Sequence, residues 1–85
     1  MNTMTDSDFE LAQKFEKGDG VEVDMRKAFE HYLKSAKNGN ADAMNKIAEC
    51  YASGKGVTPD FTKAFEWYLK SANNGYADAM FRIGT

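Results

Sequence analysis

Residues 27–48 read KAFEHYLKSAKNGNADAMNKIA, and residues 63–84 read KAFEWYLKSANNGYADAMFRIG. The two stretches are identical at 16 of 22 positions, at an offset of 36 residues. The same offset carries Gly18-Asp19-Gly20-Val21 onto Gly54-Lys55-Gly56-Val57. A period of this length is typical of stacked repeats, in which each unit buries its apolar face against the next. The sequence therefore predicts a tandem array whose function lies on its surface.

Length and charge narrow the class of protein. The 85 residues carry a net charge of −2, with Lys and Arg scattered among acids, so we expect no nucleic acid as a partner. The amino terminus has no basic segment followed by an apolar core, and no stretch approaches about 18 apolar residues, so we expect no leader and no membrane contact. These observations favour one small soluble domain, residues 1–85, that is cytoplasmic by default.

The second unit is predicted to open with a helix from about residue 41 to residue 52. Its apolar side chains recur at spacings of three and four, as they do on the packed stripe of a helix. They are Met44, Ile47, Ala48 and Tyr51. Glycines follow, and glycine can take the left-handed backbone angles that end a helix. We expect positive φ among the glycines that follow helices, which are Gly18, Gly39, Gly54 and Gly75.

A second helix is predicted to follow in the same unit. Thr58 or Asp60 can cap its first backbone N–H groups, and Pro59 fits its first turn. The helix should end at Asn74-Gly75. Its apolar face is wide enough to pack on two neighbours and consists of Phe61, Ala64, Phe65, Trp67, Tyr68, Leu69 and Ala72.

The first unit follows the same plan, with helices predicted at about residues 6–17 and 24–37. Its opening helix would pack through Leu11, Ala12 and Phe15. A third unit begins at residue 77, and Met80 and Ile83 are expected to face back onto the second unit. The prediction is therefore five helices in antiparallel hairpins, in units of about 5–40 and 41–76 and a partial unit at 77–85.

Residues 41–75 carry the pattern Ala-x-Ala-(x3)-Ile-Ala-x-x-Tyr-x-x-Gly-x-Gly-Val-x-x-Asp-x-x-Lys-Ala-x-x-Trp-Tyr-x-Lys-x-Ala-x-x-Gly. This pattern resembles the Sel1-like repeat, a relative of the tetratricopeptide repeat. The resemblance implies an all-α, right-handed α-solenoid of antiparallel helix hairpins, with about two repeats and a C-terminal half repeat. The chain departs from the family in having Ala12 and Ala48 at a usual glycine and His31 at a usual aromatic residue. The cysteine pairs of a cysteine-rich branch are missing.

We expect no catalytic residue, no cofactor and no metal. The segment 54–58 lacks the spacing and the ending of a phosphate-binding loop. His31 and Cys50 have no partner ligands in the sequence, and Glu49 disfavours the Cys50 thiolate. We interpret His31 as a partly buried packing residue, and Asp24 and Asp60 as helix caps.

One face of the opening helices, opposite the packing stripe, is the candidate binding face. In the related tetratricopeptide fold such positions line a concave groove, and the resemblance implies a groove here that is acidic in its middle with an aromatic residue at each end. The alternative is plain solvated surface, with the acids favouring helix N-termini and the aromatic residues filling the edges of the stack. The positions are Asp6, Phe9, Gln13 and Glu16, then Asp42, Asn45, Glu49 and Ala52, then Asp78 and Phe81.

The sequence suggests three hypotheses for the function. The first is a non-enzymatic protein-protein interaction module, an adaptor or scaffold whose acidic groove holds a basic and apolar segment of another protein. The second is a small inhibitor or effector that occludes a target protein. The third is β-lactam binding or hydrolysis, which has been linked to some cysteine-rich relatives. The sequence shows no activated serine, no metal cluster and no general-base pair for this activity. Phe81 and Ile83 would also permit end-to-end self-association through the C-terminal half repeat.

Overall fold

The computed structural model describes residues 7–74, and the regular structure in that range is entirely helical. The all-α solenoid predicted from the sequence is confirmed, and the helix bounds fall within one residue of the predicted ones where both ends were predicted. The predicted third unit, with Met80 and Ile83, lies outside the described residues. The helices are α1 (Ser7–Lys17), α2 (Met25–Lys37), α3 (Ala41–Ser53) and α4 (Phe61–Asn73).

Three helices begin at a side-chain cap. The carboxylates of Asp24 and Asp60 accept hydrogen bonds of 3.1 Å from the backbone N–H groups three residues on, and the amide oxygen of Asn40 does the same for α3. Asp60, rather than Thr58, therefore caps α4. The placement of Pro59 in the first turn was wrong, because it precedes Asp60, whose extended backbone (φ −156°, ψ 100°) makes it the cap.

The loops between paired helices close in the same way in both units. The backbone N–H of Asp24 donates to the carbonyl oxygen of Phe15, and that of Asp60 donates to Tyr51, each at 2.9 Å. Gly18, Gly39 and Gly54 have positive φ of 75°, 97° and 76°, as predicted. Gly75 lies outside the described residues.

The core lies between consecutive helices: α1 contacts α2, α2 contacts α3, and α3 contacts α4. Tyr32 and Ile47 are the largest of its fully buried apolar residues. Between the two units, the ring of Phe29 meets the ring of Tyr51 edge-on at 5.5 Å. Ser71 closes the second hairpin by donating a 2.8 Å hydrogen bond to the carbonyl oxygen of Ala41. Because α3 packs on both α2 and α4, it has little surface left.

One packing prediction was wrong in part. Leu11 was expected in the packed stripe of α1 but is 38% exposed, whereas its repeat counterpart Ile47 is fully buried against the preceding unit. The wide face of α4 was expected to pack on two neighbours. One of them is α3, which it contacts. The other, the partial unit at 77–85, lies outside the described residues, and Phe61 and Phe65 are 75% and 53% exposed. Among the helices of residues 7–74, none combines the length and the hydrophobicity that a membrane span requires.

Candidate partner-binding face

Several of the predicted binding residues on α1 and α3 lie around Tyr32, which is on α2. The hydroxyl donates a 2.5 Å hydrogen bond to Oε1 of Glu16 on α1. The ring of Phe9 packs edge-on against the Tyr32 ring at 5.6 Å. On α3, Nδ2 of Asn45 donates to Oε2 of Glu49 at 3.2 Å. These five residues are called the α1–α3 face below.

Charge on this face acts on Tyr32. Its pKa is raised well above the usual range of tyrosine, first by burial, then by the hydrogen bond to Glu16 and the charge of Glu16, with a smaller effect from Glu49. Both carboxylates therefore lie near the same ring. Because the hydroxyl stays protonated, it remains a donor that holds one oxygen of Glu16 in place.

Asn45 is the clearest departure from the predicted face. It was expected on the solvent side, opposite the packing stripe, but it is only 2% exposed. The reason is the position of α3 between two helices, which buries nearly every side chain that does not point directly outward. The amide of Asn45 nevertheless orients Glu49 through its nitrogen. Within residues 7–74 its Oδ1 atom is buried without a hydrogen-bond partner.

The remaining candidates divide into three groups. Asp42 is exposed at the start of α3, as expected. Gln13 lies away from Tyr32 and lines an open depression with Glu10, Lys14, Lys17 and Asp19. Outside the described residues lie Asp6, Asp78 and Phe81.

Glu49 has a second neighbour on its own helix. Nζ of Lys46 lies 4.0 Å from Oε1 of Glu49, and about a third of each side chain is exposed. Such a long, exposed ion pair contributes little to stability.

Cys50 lies beneath this face and is buried. Burial, followed by the charge of Glu16 and, less strongly, that of Glu49, raises its pKa to about 11. The thiol is therefore protonated at neutral pH and is a poor nucleophile and a poor metal ligand. The effect of Glu49 has the direction expected from the sequence. Among residues 7–74, no three His, Cys, Asp or Glu side chains are grouped so as to hold a metal ion.

His31 packs as a half-buried ring, as interpreted from the sequence. It stacks on Phe15 with the ring centroids 5.8 Å apart, and its Nδ1 lies 3.0 Å from Oδ1 of Asp8. Both contacts tie α2 to α1. His31 is therefore explained as a residue of the hairpin contact.

Tyr32 was missed as a member of the binding face. One feature of the sequence could have identified it: Tyr32 recurs as Tyr68 at the same position of an apolar helix face. A buried tyrosine usually finds a partner for its hydroxyl, so a nearby carboxylate was to be expected. Sequence spacing alone does not show that this partner is Glu16.

Comparisons with known proteins agree on the repeat type. A family model described as Sel1 repeat matches residues 5–40 and 41–76. The crystal structure of a Sel1 repeat protein from Oxalobacter formigenes is similar at 31% identity and a TM-score of 0.89, covering 92% of this chain and 32% of that one. No match was found among curated proteins.

Two further solved structures are similar. One is c5321, a protective antigen of uropathogenic Escherichia coli with an SLR fold, at 28% identity and a TM-score of 0.88, covering 92% of this chain and 17% of that one. The other is cysteine rich protein B of Helicobacter pylori, at 27% identity and a TM-score of 0.83, covering 86% of this chain and 55% of that one. The chain thus spans roughly a third, a sixth and a half of these three structures.

Proposed function

Because the chain belongs to the Sel1 repeat family, whose members generally mediate protein-protein interaction, we propose that it binds a segment of another protein through the α1–α3 face. The segment carries a basic side chain next to apolar ones. In this proposal the chain is a non-enzymatic adaptor or scaffold. Asp42 on α3 adds negative charge beside the face, and Asp6, Gln13, Asp78 and Phe81 remain candidate contacts at its edges.

The main support is the pair of carboxylates near Tyr32. Glu16 is held by the tyrosine hydroxyl and Glu49 by the amide of Asn45, so both acids are oriented before a ligand arrives. Opposite charges roughly 4 Å apart near a protein surface attract by about 4 kcal/mol before the cost of desolvation. Orientation in advance reduces the entropy that binding loses.

The two acids favour arginine over lysine in the partner. A guanidinium group has five N–H donors in one plane and can bind carboxylate oxygens in pairs. An ammonium group acts as a compact charge and gains less from two separate carboxylates. Phe9, which is half-buried against Tyr32, supplies apolar surface for the neighbouring side chain.

Selection of random peptides on the native chain tests this proposal. Peptides displayed on phage should be enriched in arginine flanked by apolar residues, and the enriched peptides should bind more weakly as salt rises, because exposed charges are screened. The Glu16→Gln/Glu49→Gln variant keeps the shape of the face but loses both charges, and we expect it to retain few of these peptides.

The matched control is Glu30→Gln/Glu66→Gln, which removes the same charge from exposed positions on α2 and α4. It should retain the peptides as the native chain does. Equal binding by the Glu16→Gln/Glu49→Gln variant would contradict the proposed face. Enrichment of acidic peptides would contradict the proposed chemistry of the partner.

A further inference from the structure

The turn between α2 and α3 contains an asparagine followed by a glycine, Asn38-Gly39. In such a pair the backbone nitrogen of the glycine can attack the side-chain amide carbon of the asparagine. The new C–N bond closes a five-membered succinimide ring, and the amide nitrogen leaves as ammonia together with the proton of the glycine N–H. Water then opens the ring at either of its two carbonyl carbons and gives aspartate or isoaspartate. Glycine favours the attack because it has no side chain to shield its nitrogen.

The position of this pair in the fold leaves it open to solvent. Asn38 and Gly39 are both exposed. A Cβ added to Gly39 would meet nothing within 4 Å among the described residues, so no packed group crowds the glycine. The side-chain amide that would react is therefore not protected by burial.

The backbone of the closed turn nevertheless blocks the attack. The N–H of Gly39 donates a 3.0 Å hydrogen bond to the carbonyl oxygen of Ala36. The ψ angle of Asn38 is 5°, which turns the glycine nitrogen away from the side-chain carbon that it would attack. Ring closure therefore requires rotation about the Cα–C bond of Asn38. The N–H groups of Asn38 and Asn40 resist this rotation, because they donate to the carbonyl oxygen of Ser35 at 3.1 Å and 3.2 Å.

We propose that Asn38 is a site of spontaneous deamidation that the fold controls: the closed turn protects it, local opening lets it react, and isoaspartate prevents the turn from closing again. Local opening occurs without unfolding of the whole chain. Isoaspartate routes the main chain through the side chain and so adds one carbon atom to the backbone before Gly39. The hydrogen bonds that close the turn cannot then all form again.

The change would act at the junction between the two units, because this turn joins α2 to α3. Asn40, at the end of the turn, caps α3 through its amide oxygen, so a displaced turn also disturbs the start of α3. The added negative charge matters less. It lies at the C-terminal end of α2, where it opposes the helix dipole, but Lys34 and Lys37 lie in the same last turn. The inference does not depend on partner binding by the α1–α3 face.

Peptide mapping by mass spectrometry tests the proposal on the full chain. The chain has a second Asn-Gly pair at Asn74, so the variant Asn74→Gln is used to leave Asn38-Gly39 as the single pair. It is incubated at mildly alkaline pH, either folded or in concentrated urea. In urea, Asn38 should convert faster than Asn45, which precedes a lysine. In the folded chain Asn38 should convert at least about tenfold more slowly than in urea, because the hydrogen bonds of the turn must first break.

Two helix-cap variants distinguish local opening from global unfolding. Asn40→Ala removes the cap of α3 beside the turn, and Asp60→Ala removes the equivalent cap of α4 away from it. We expect deamidation of Asn38 in the folded chain to speed up in Asn40→Ala and to stay near its original rate in Asp60→Ala. Equal acceleration in both variants would overturn local opening as the route. Equal rates in folded chain and urea, or no excess over Asn45 in urea, would overturn the proposal outright.

Refolding tests the effect of the product. Molecules that carry isoaspartate at position 38 are separated after incubation in urea, and their unfolding is followed by circular dichroism. Asn38→Asp is the matched control, because it adds the same charge without the extra backbone carbon. We expect the unreacted chain and Asn38→Asp to unfold at similar urea concentrations, and the isoaspartate form to unfold at a clearly lower one. An isoaspartate form as stable as Asn38→Asp would overturn the claim that the product keeps the turn open.

Discussion

The contact between the two units can be tested at a single glycine. Gly56 has φ of 75°, and a Cβ there would lie 2.4 Å from the carbonyl oxygen of Met25 and 3.1 Å from Cα of Arg26. Those are backbone atoms of α2, so they cannot rotate away as a side chain would. Gly56→Ala must therefore move the loop away from α2 or strain both.

The magnitude follows from two costs. The left-handed backbone conformation costs a residue with a Cβ about 1–2 kcal/mol. Steric overlap in a packed contact adds about 1–3 kcal/mol. We therefore expect Gly56→Ala to lower the free energy of unfolding by about 2–5 kcal/mol. For a domain of this size that is a large share of the total, which is typically about 5–15 kcal/mol for natural proteins.

Gly20→Ala is the matched control, since it introduces the same methyl group at the equivalent position with φ of 82° and no described atom within 4 Å. It should lose only the backbone cost, about 1–2 kcal/mol. Alanine also lowers the conformational entropy of the unfolded chain, and because this effect is the same in both variants it cancels in the difference. Urea unfolding followed by circular dichroism at low protein concentration measures both. Equal losses in the two variants would refute the reasoning.

Three further results are expected. Tyr32→Phe removes the hydrogen bond to Glu16 and should cost about 1 kcal/mol in urea unfolding, so an unchanged midpoint would count against that bond. The pKa of Cys50 is raised from 9.0 to about 11. The stability gained by keeping the thiol neutral is therefore fully present below pH 9 and is lost as pH rises toward 11. Unfolding at a series of pH values should show this fall in the free energy of unfolding, and the fall should be smaller in Cys50→Ala. Phe29→Ala should cost about 3–5 kcal/mol, whereas Phe65→Ala at the equivalent but exposed position should cost about 1 kcal/mol or less, and similar losses would mean that the two faces are equally covered.

The helices and their caps were largely predictable from the repeat. Spacing of apolar residues placed α3 at residues 41–53 to within one residue, and Asp24 was correctly interpreted as a cap. These features depend on residues near one another in the chain. Pro59 shows the limit of such local rules. A proline just before a helix cap and one just after it look similar in the sequence, so the sequence did not show that Pro59 precedes the cap Asp60.

The candidate face was predictable only in part. Sequence spacing assigned Glu16 and Glu49 to the opening helices, but the link from Glu16 to Tyr32 spans 16 residues and depends on how α1 lies across α2. The burial of Asn45 depends on packing from both sides of α3. Likewise, the exposure of Phe65 reflects the absence of a described neighbour, while the identical Phe29 is covered. Helical periodicity identifies an apolar face but does not show what covers it.

The most direct test of the proposed function is an NMR titration of the ¹⁵N-labelled chain with an arginine peptide selected on it. The account predicts saturable shifts of backbone and side-chain amides on α1 and α3, centred on Glu16, Asn45 and Glu49, and a change at the Tyr32 ring. The same shifts should be lost in Glu16→Gln/Glu49→Gln and kept in Glu30→Gln/Glu66→Gln. Shifts confined to α4 or to the loops, with affinity unchanged in the Glu16→Gln/Glu49→Gln variant, would contradict the claim that the α1–α3 face binds the partner.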